Sequence, residues 1–207
     1  MKSKFIDSPE LRALRAHLDE EAWLPLWVSL ETGLRVGDVV KLKGSNVRED
    51  GIHYRAQKTG KNGIAKISAE LRQALPKAKT KWLFPSPYKR GAHITRQCVW
   101  ARIKKAAERA ELSKEGVSPH SMRKVFAVEL YREKGFQAVQ EALQHANNAT
   151  TEIYSFADWE TGKGGEDPLL KRDLPLIIRM CLEALGKQSA TRPKAKKGGS
   201  VKKGNNR

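Results

Sequence analysis

Two pairs of residues in this chain have types and spacings that suit chemistry on a phosphodiester. His120 and Arg123 stand three residues apart, and His145 is followed nine residues later by Tyr154. Arginine presents a planar, permanently charged fork that matches phosphate oxygens. Histidine exchanges a proton near neutral pH, and a tyrosine hydroxyl is a nucleophile when a neighbour takes its proton. These types in this order predict a site that acts on a phosphodiester.

A second group of basic residues precedes these pairs. Arg35 comes just after Gly33, an expected helix stop, so the backbone between two helices fixes its position. Asp38, three residues further on, is expected to orient it. Lys58 lies in the turn of a predicted hairpin, where an ammonium group can protonate a leaving oxygen. The expected DNA contacts on the same hairpin are Lys61 and Lys66.

Each of these residues also has an ordinary structural explanation. Arg35 could be a surface arginine paired with Asp38, and a hairpin lysine is commonly a solvated charge. An H-x-x-R pair occurs on many solvated helix faces, and most tyrosines pack in a core. The joint order of six residues is what favours a catalytic site: Arg35, Lys58, His120, Arg123, His145 and Tyr154.

The charge of the chain favours a polyanionic partner. Its 207 residues include 40 Lys and Arg against 23 Asp and Glu, which gives a net charge of +17. Each phosphate that such a surface neutralises releases counterions and strengthens binding. Basic ribosomal and nucleoid proteins share this balance without catalysing a reaction. Charge alone therefore predicts nucleic-acid binding and says nothing about chemistry.

The sequence predicts one domain over residues 1–185 and a disordered basic tail over 186–207. The tail contains eight Lys and Arg and no acid, so residues 1–185 keep +9 of the net charge. Its composition, rich in Lys, Gly, Ser and Asn, buries too little apolar surface to order itself. The DNA contacts expected in the tail are Lys194, Lys196 and Lys197.

Local patterns predict an α+β fold that is mainly α-helical, with one small antiparallel sheet. Ser8 is expected to cap the first helix, with Pro9 at its first position, and a second helix over 20–31 should end at Gly33. Turn-forming residues separate three short strands, over 46–48, 52–57 and 64–68. The other helices are predicted over 37–43, 69–75, 95–110, 121–133, 136–144, 150–156 and 174–185.

Nothing in the sequence indicates a membrane, a metal or a disulfide. No apolar run approaches the ~20 residues of a membrane span, and the N-terminus lacks the apolar core of a secretory signal. Cys98 and Cys181 fit no metal-ligand spacing and are expected to be inert thiols in a reducing cytosol. We therefore expect a cytoplasmic protein with no cofactor.

These motifs resemble the catalytic domain of the tyrosine recombinases, the phage-integrase family. The similarity covers about residues 11–157. The segments that carry it are Thr32-Gly33-Leu34-Arg35, Lys58-Thr59-Gly60, Pro119-His120-Ser121-Met122-Arg123 and Thr150-Thr151-Glu152-Ile153-Tyr154. The resemblance implies the fold of that domain, with its small three-stranded antiparallel sheet.

The resemblance also implies a reaction. Arg35 and Arg123 would hold the non-bridging oxygens of the scissile phosphate, and His145 would donate a hydrogen bond to it. The hydroxyl of the nucleophile Tyr154 would attack phosphorus, leaving a 3′-phosphotyrosyl link and a free 5′-hydroxyl. The tyrosine proton would pass to His120. Neither a metal nor ATP would be needed.

Lys58 would protonate the departing 5′-oxygen in that reaction. The implied partner is double-stranded DNA with specific sites, bound by a homotetramer, with an accessory DNA-bending protein as a further candidate. The implied place is the cytoplasm of a bacterial or phage-infected host, at the nucleoid. The last predicted helix, 174–185, could be exchanged between neighbouring subunits or could pack on its own domain.

Three departures from the family pattern accompany the resemblance. Gln144 stands where the family usually has glycine, and Asp38 where it usually has glutamate. Family members also usually carry an N-terminal helical domain that completes a clamp around DNA, so this chain is either a fragment of a longer integrase or a short member. The alternatives are a type IB topoisomerase-like enzyme, a telomere-resolving enzyme, or an inactive DNA-binding accessory protein.

Overall fold

The structure, a computed structural model, describes residues 3–57, 59–77, 80–112 and 116–143 of the chain. The predicted helices over 150–156 and 174–185, and the predicted tail, lie outside these ranges. The helices within them are α1 (Ser8–Ala16), α2 (Glu20–Thr32), α3 (Val36–Val39), α4 (Ala69–Ala74), α5 (Arg96–Arg109) and α6 (Pro119–Ala142). The strands are β1 (Val47–Arg48), β2 (Gly51–Arg55) and β3 (Asn62–Ala65), and a 3-10 turn spans Gly44–Asn46.

The predicted three-stranded antiparallel sheet is confirmed, with the strand order β1-β2-β3. Its third strand begins two residues earlier than expected, because Gly63 pairs with Tyr54 and Asn62 with Arg55. The strand also ends earlier, since the side chain of Ser68 leaves the sheet to cap α4, accepting the amide of Leu71 at 3.0 Å. The sheet is therefore a hairpin of β2 and β3, with the two-residue β1 on the other side of β2.

The first helix begins with a different cap from the one predicted. The carboxylate of Asp7 accepts the amide of Glu10 at 2.9 Å, and the carboxylate of Glu10 accepts the amide of Asp7 at 3.1 Å. This reciprocal pair satisfies two amides at the helix start, so Asp7 is the cap and Ser8 the first helical residue. Pro9 then takes the second helical position.

The core is built around α2, which is buried on nearly every side. It packs against α3, α4, α5 and α6. Most of its side chains are buried, including Leu26 and Val28, which are fully enclosed. A helix that is apolar all round needs neighbours on all sides. These four helices therefore take their places by covering α2, and α1 packs against α5.

The last described helix, α6, is two helical segments joined at Gly135. This glycine has φ 78° and ψ −178°, a conformation that suits only glycine. A straight helix from Arg123 to Leu143 would span about 30 Å, at 1.5 Å per residue. A nitrogen of the Arg123 guanidinium nevertheless lies 3.4 Å from the Leu143 carbonyl oxygen. The chain must therefore fold back at Gly135, which agrees with the two separate helices predicted for this region.

Gly33 ends α2 as predicted, in the left-handed conformation with φ 65°. A methyl group added at its Cα would stand 2.5 Å from two ring carbons of Phe126. Gly33 therefore has both a conformational and a steric reason to be glycine.

The neighbouring segment α3 is shorter than the predicted helix over 37–43. After it, the amides of Lys41 and Leu42 bond to carbonyls three residues back, and residue 43 pairs with Trp82 in an isolated bridge.

We expect Gly33→Ala to destabilise the protein by more than the ~1–2 kcal/mol of a left-handed alanine, because Phe126 must also move. Gly60→Ala is the matched control, since Gly60 has φ 69° but no atom within 4 Å of the added methyl group. Urea unfolding of both variants measures the difference. Equal losses of unfolding free energy would contradict the close approach of Phe126.

Candidate active site

Arg35 stands in a tight turn between α2 and α3 that side chains of α2 hold in place. Buried Ser29 donates its hydroxyl to the Leu34 carbonyl at 2.6 Å, and the hydroxyl of Thr32 accepts the Leu34 amide at 3.3 Å. The positive φ of Gly33 turns the chain between them. Arg35 is the residue that caps the start of α3, and its side chain is partly exposed. Its backbone is thus fixed while its guanidinium faces a cavity.

Asp38 is bonded to the hairpin and not to Arg35. Its carboxylate accepts the backbone amide of Gln57 at 3.2 Å. In the described part of the chain, Asp38 and Arg35 form no ion pair, so the expected orientation of Arg35 by this acid is not what the structure shows. The acid joins α3 to the end of β2 instead.

The side chain of Gln57 reinforces the same junction. Its amide nitrogen donates to the Gly37 carbonyl at 3.3 Å, and its amide oxygen accepts from the Lys41 ammonium at 2.9 Å. Gln57 directly precedes Lys58, which lies outside the described residues. Gln57, the last described residue before Lys58, is therefore fixed to α3 and the residues after it, which follow Arg35.

His120 lies in the first turn of α6, which begins two residues before the predicted helix, and Arg123 lies at the start of the second turn. The hydroxyl of Ser118 accepts the His120 amide at 3.2 Å, and the Ser118 amide donates to the hydroxyl of Ser121 at 3.2 Å. These bonds cap the helix start, where partial positive charge and backbone donors favour an anion. The imidazole of His120 is exposed there, whereas Arg123 is buried.

The guanidinium of Arg123 joins three parts of the fold. One of its terminal nitrogens donates to the carbonyl of Gly33, and the other donates to the carbonyl of Leu143 at 3.4 Å. Gly33 precedes Arg35 by two residues, and Leu143 precedes His145 by two. Arg123 therefore connects the segments that carry two other predicted site residues to the start of α6.

A cavity of about 820 Å³ lies between α3, α5 and the start of α6. Arg35 and His120 both line it, so the structure brings these two predicted residues to one site. Asp38 and Gln57 line it as well, while Arg123 is absent from its lining and lies buried nearby. The cavity has an apolar part formed by Val36, Pro119 and Trp100.

One wall of the cavity comes from α5, which sequence reasoning did not include in the site. Arg96, Trp100 and Lys104 recur every four residues, and all three line the cavity. Trp100 is 48% exposed, and the Lys104 ammonium lies 5.7 Å from the centre of a Trp100 ring. A stripe of two cations around an aromatic residue at helical spacing is the signal that could have identified this wall.

The cavity is electrostatically positive. Its lining includes three permanently charged cations, Arg35, Arg96 and Lys104, against one carboxylate, that of Asp38. Loss of water around the His120 ring, followed by repulsion from Arg123, Lys124 and Arg35, lowers the pKa of His120 to about 4. The residue remains exposed, so surrounding water screens part of this effect. His120 is consequently a neutral imidazole at pH 7, able to accept a proton.

The remaining predicted site residues are not part of this geometry. Lys61 and Lys66 are exposed on the hairpin and do not line the cavity. Outside the described residues lie Lys58, His145, Tyr154, Lys194, Lys196 and Lys197.

The described ranges contain neither a membrane-spanning helix nor a metal-binding cluster. No helix there is both long and apolar enough to cross a membrane. No group of three or more His, Cys, Asp or Glu side chains in those ranges is arranged to hold a metal ion.

Residues 4–160 match the model of the phage integrase family. Among individual proteins, tyrosine recombinase XerC of Erythrobacter litoralis is 35% identical to this chain over 137 residues. Those residues cover 61% of this chain and 43% of XerC. The chain thus spans less than half the length of this relative.

Solved structures share the fold. A lambda integrase(75-356) dimer bound to a COC' core site matches with a TM-score of 0.62 and 20% identity, over 75% of this chain and 60% of the integrase. A lambda integrase tetramer bound to a Holliday junction matches with a TM-score of 0.60 and 19% identity, over 70% and 47%. At this identity the likeness establishes the fold, which is the one that the sequence motifs implied.

We expect the His120 ring to titrate near pH 4, and Arg35→Gln to raise its pKa, because a nearby positive charge disfavours the imidazolium. The ring nitrogen shifts in NMR spectra recorded between pH 3 and 8 report both values. A midpoint near the ordinary 6.5 in the parent protein would contradict the assignment. Since the folded pKa lies below 6.5, His120 should also lower the unfolding free energy as the pH falls from 6.5 toward 4, and His120→Gln should remove that part of the loss.

Proposed function

Because the chain belongs to the phage integrase family, we propose that it cuts and rejoins DNA strands through a covalent 3′-phosphotyrosyl intermediate. The activity would be that of a site-specific recombinase in DNA integration or excision. The observation that carries the proposal is the convergence of Arg35 and His120 on one positive cavity, with Arg123 buried nearby. These are the residue types needed to bind a phosphodiester and to accept a proton.

The scissile phosphate would bind between Arg35 and the start of α6. Arg35 offers its guanidinium to the non-bridging oxygens, and Arg123, buried near the cavity, would add its positive charge at the same phosphate. Both cations are held in place before the substrate arrives, Arg35 through its backbone and Arg123 through two carbonyls. Such preorganised donors stabilise the charge that builds up in the transition state.

Tyr154 would attack phosphorus and His120 would take its proton. A neutral imidazole is needed for that step, and the lowered pKa of His120 keeps the ring neutral at pH 7. The new bond joins the tyrosine oxygen to the 3′-phosphate, and the bond to the 5′-oxygen breaks. Lys58 would supply the proton to that oxygen, and His145 a hydrogen bond to the phosphate.

The α5 wall would contact the duplex beside the cut. Arg96 and Lys104 can neutralise phosphates, and the exposed face of Trp100 offers an apolar surface between them. The exposed hairpin lysines, Lys61 and Lys66, would extend the positive surface. Phosphate contacts of this kind position a protein on DNA without selecting a sequence.

Exchange of strands between two duplexes requires four cleavages, so we propose a tetramer on DNA as the working assembly. The tetramer of lambda integrase on a Holliday junction supports this arrangement for a protein of the same fold. An accessory DNA-bending protein remains part of the proposal. The proposed recombinase would act at the bacterial nucleoid, where its DNA substrate lies.

The test uses a pool of short duplexes with randomised sequence and a nick near the centre. Cleavage close to the nick releases a short strand, so the covalent complex cannot reverse and accumulates. Complexes that survive denaturation are isolated, and their DNA is sequenced. We expect enrichment of one family of sites and a nucleotide remnant on the tryptic peptide 135–163, whose one tyrosine is Tyr154. Absence of any adduct would contradict the proposed activity.

Tyr154→Phe should bind the selected duplex with unchanged affinity and form no adduct, because only the nucleophilic hydroxyl is removed. Tyr88→Phe is the control, since Tyr88 is 81% exposed and does not line the cavity. Denaturing gels and binding isotherms of both variants give the two quantities. An adduct that persists in Tyr154→Phe would assign the attack to another residue.

Arg35→Lys should slow adduct formation at saturating DNA nearly as much as Arg35→Ala, by about 10²–10³-fold. A lysine keeps the charge but lacks the paired donors of the fork. Arg96→Ala, which removes another cation of the same cavity, should weaken DNA binding and leave the saturated rate close to that of the parent. Single-turnover rates at several DNA concentrations separate the effect on adduct formation from the effect on DNA binding. An Arg35→Lys variant that forms the adduct nearly as fast as the parent would contradict the proposed binding of the phosphate by the Arg35 guanidinium.

A further inference from the structure

The extended segment that precedes α1, residues 3–6, lies against the start of α6. The amide of Lys4 donates to the Gly116 carbonyl at 2.7 Å, and the hydroxyls of Ser3 and Ser118 are 3.2 Å apart. Phe5 and Ile6 are buried in the core, so the segment is fixed at both ends. It runs beside the serine that caps α6.

Lys124 makes a buried contact with this segment. The residue is 4% exposed, and its ammonium donates to the backbone carbonyl of Ser3. A buried ammonium is strongly unfavourable unless it is hydrogen-bonded. The contact therefore ties residues 3–6 firmly to α6, more than 100 residues later in the chain.

The same contact lies one helical turn from the candidate site. Lys124 follows His120 by four residues, which places the two on one face of α6, and it directly follows Arg123. Ser3 and Ser118 line the cavity together with His120, whereas Lys124 does not. Lys124 thus binds a residue of the cavity wall, Ser3, without lining the cavity itself.

We propose that Lys124 is a positioning residue: by binding the Ser3 carbonyl, it fixes residues 3–6 against α6 and thereby sets where His120 and Arg123 stand relative to Arg35. The catalytic part of this inference rests on the proposed function. The structural part, that Lys124 immobilises the segment, does not depend on any activity.

The first experiment tests the structural part in the free protein. Lys124→Met removes the donor and keeps an apolar chain of similar length, and Lys124→Arg keeps a donor and the charge. We expect the Lys4 amide to exchange with solvent deuterium at least 10-fold faster in Lys124→Met and near the parental rate in Lys124→Arg. The buried amide of Leu26 in α2 reports whether the whole domain has loosened. If Lys124→Met does not fold, Lys124→Gln, neutral and shorter, takes its place.

The second experiment measures adduct formation on the selected duplex. A displaced first turn of α6 should lower the saturated rate of Lys124→Met by about 10²-fold, as misplacement by about 1 Å does, with DNA affinity within about 3-fold of the parent. Lys124→Arg should recover most of the rate. Lys134→Met, which removes an exposed ammonium elsewhere on α6 that does not line the cavity, should behave like the parent.

The outcomes separate the two levels of the inference. If the Lys4 amide exchanges at the parental rate in Lys124→Met, Lys124 does not hold residues 3–6 against α6. If that amide exchanges faster but adduct formation keeps its parental rate, Lys124 does not position the site residues. Equal rate losses in Lys124→Arg and Lys124→Met also overturn the positioning role. A parent protein that forms no adduct overturns the proposed function, while the exchange data still decide whether Lys124 holds the segment.

Discussion

The site depends on one buried guanidinium. Arg123 donates to the carbonyls of Gly33 and Leu143, which end α2 and α6 respectively, and it lies itself near the start of α6. Without it, two carbonyls would lose a charged donor in the interior, at about 1–3 kcal/mol for each unsatisfied group. The residue proposed to hold phosphate is therefore also the residue that brings the phosphate-binding segments together. Its structural and chemical contributions are joined in one side chain.

Repulsion among like charges is the second constraint. Arg35, Arg123 and Lys124 surround His120 closely enough to lower its pKa, and the cations that line the cavity outnumber its one carboxylate. An anion in the cavity would relieve the repulsion among these cations. The mutual repulsion of these cations thus favours the binding of an anion in the cavity. The neutral state of His120 follows from the same charges.

The parts of the site that could be predicted are those governed by local chemistry. The glycine stop at Gly33 and the three-stranded sheet follow from residues a few positions apart, and the structure confirms both. The pairing of Asp38 with Gln57 could not be predicted, because it joins residues 19 apart that only the hairpin brings together. The nearer partner, Arg35, was the natural choice from the sequence.

The α5 wall was missed for a related reason. Its cations stand at ordinary helical spacing in a chain with 40 basic residues, so nothing local distinguishes them from solvated charges. The short α3 was also beyond local reasoning, since Leu42 and residue 43 pair with Leu83 and Trp82, about 40 positions later, and do not continue the helix. The α5 wall and the end of α3 both depend on contacts between residues far apart in the chain, and hydrophobic periodicity does not predict such contacts.

The bond between Arg123 and Gly33 joins residues 90 positions apart, which has a consequence for the order of events during synthesis. Closing so long a loop is entropically unfavourable, so the contact forms only when the intervening elements have folded. Translation proceeds from the N-terminus at about 5–20 residues per second, so Arg35 and the hairpin emerge several seconds before Arg123. Until Arg123 has been synthesised, the nascent chain carries the basic residues of the hairpin but not the assembled candidate site. The proposed ability to break a DNA strand would therefore arise only with the completed domain.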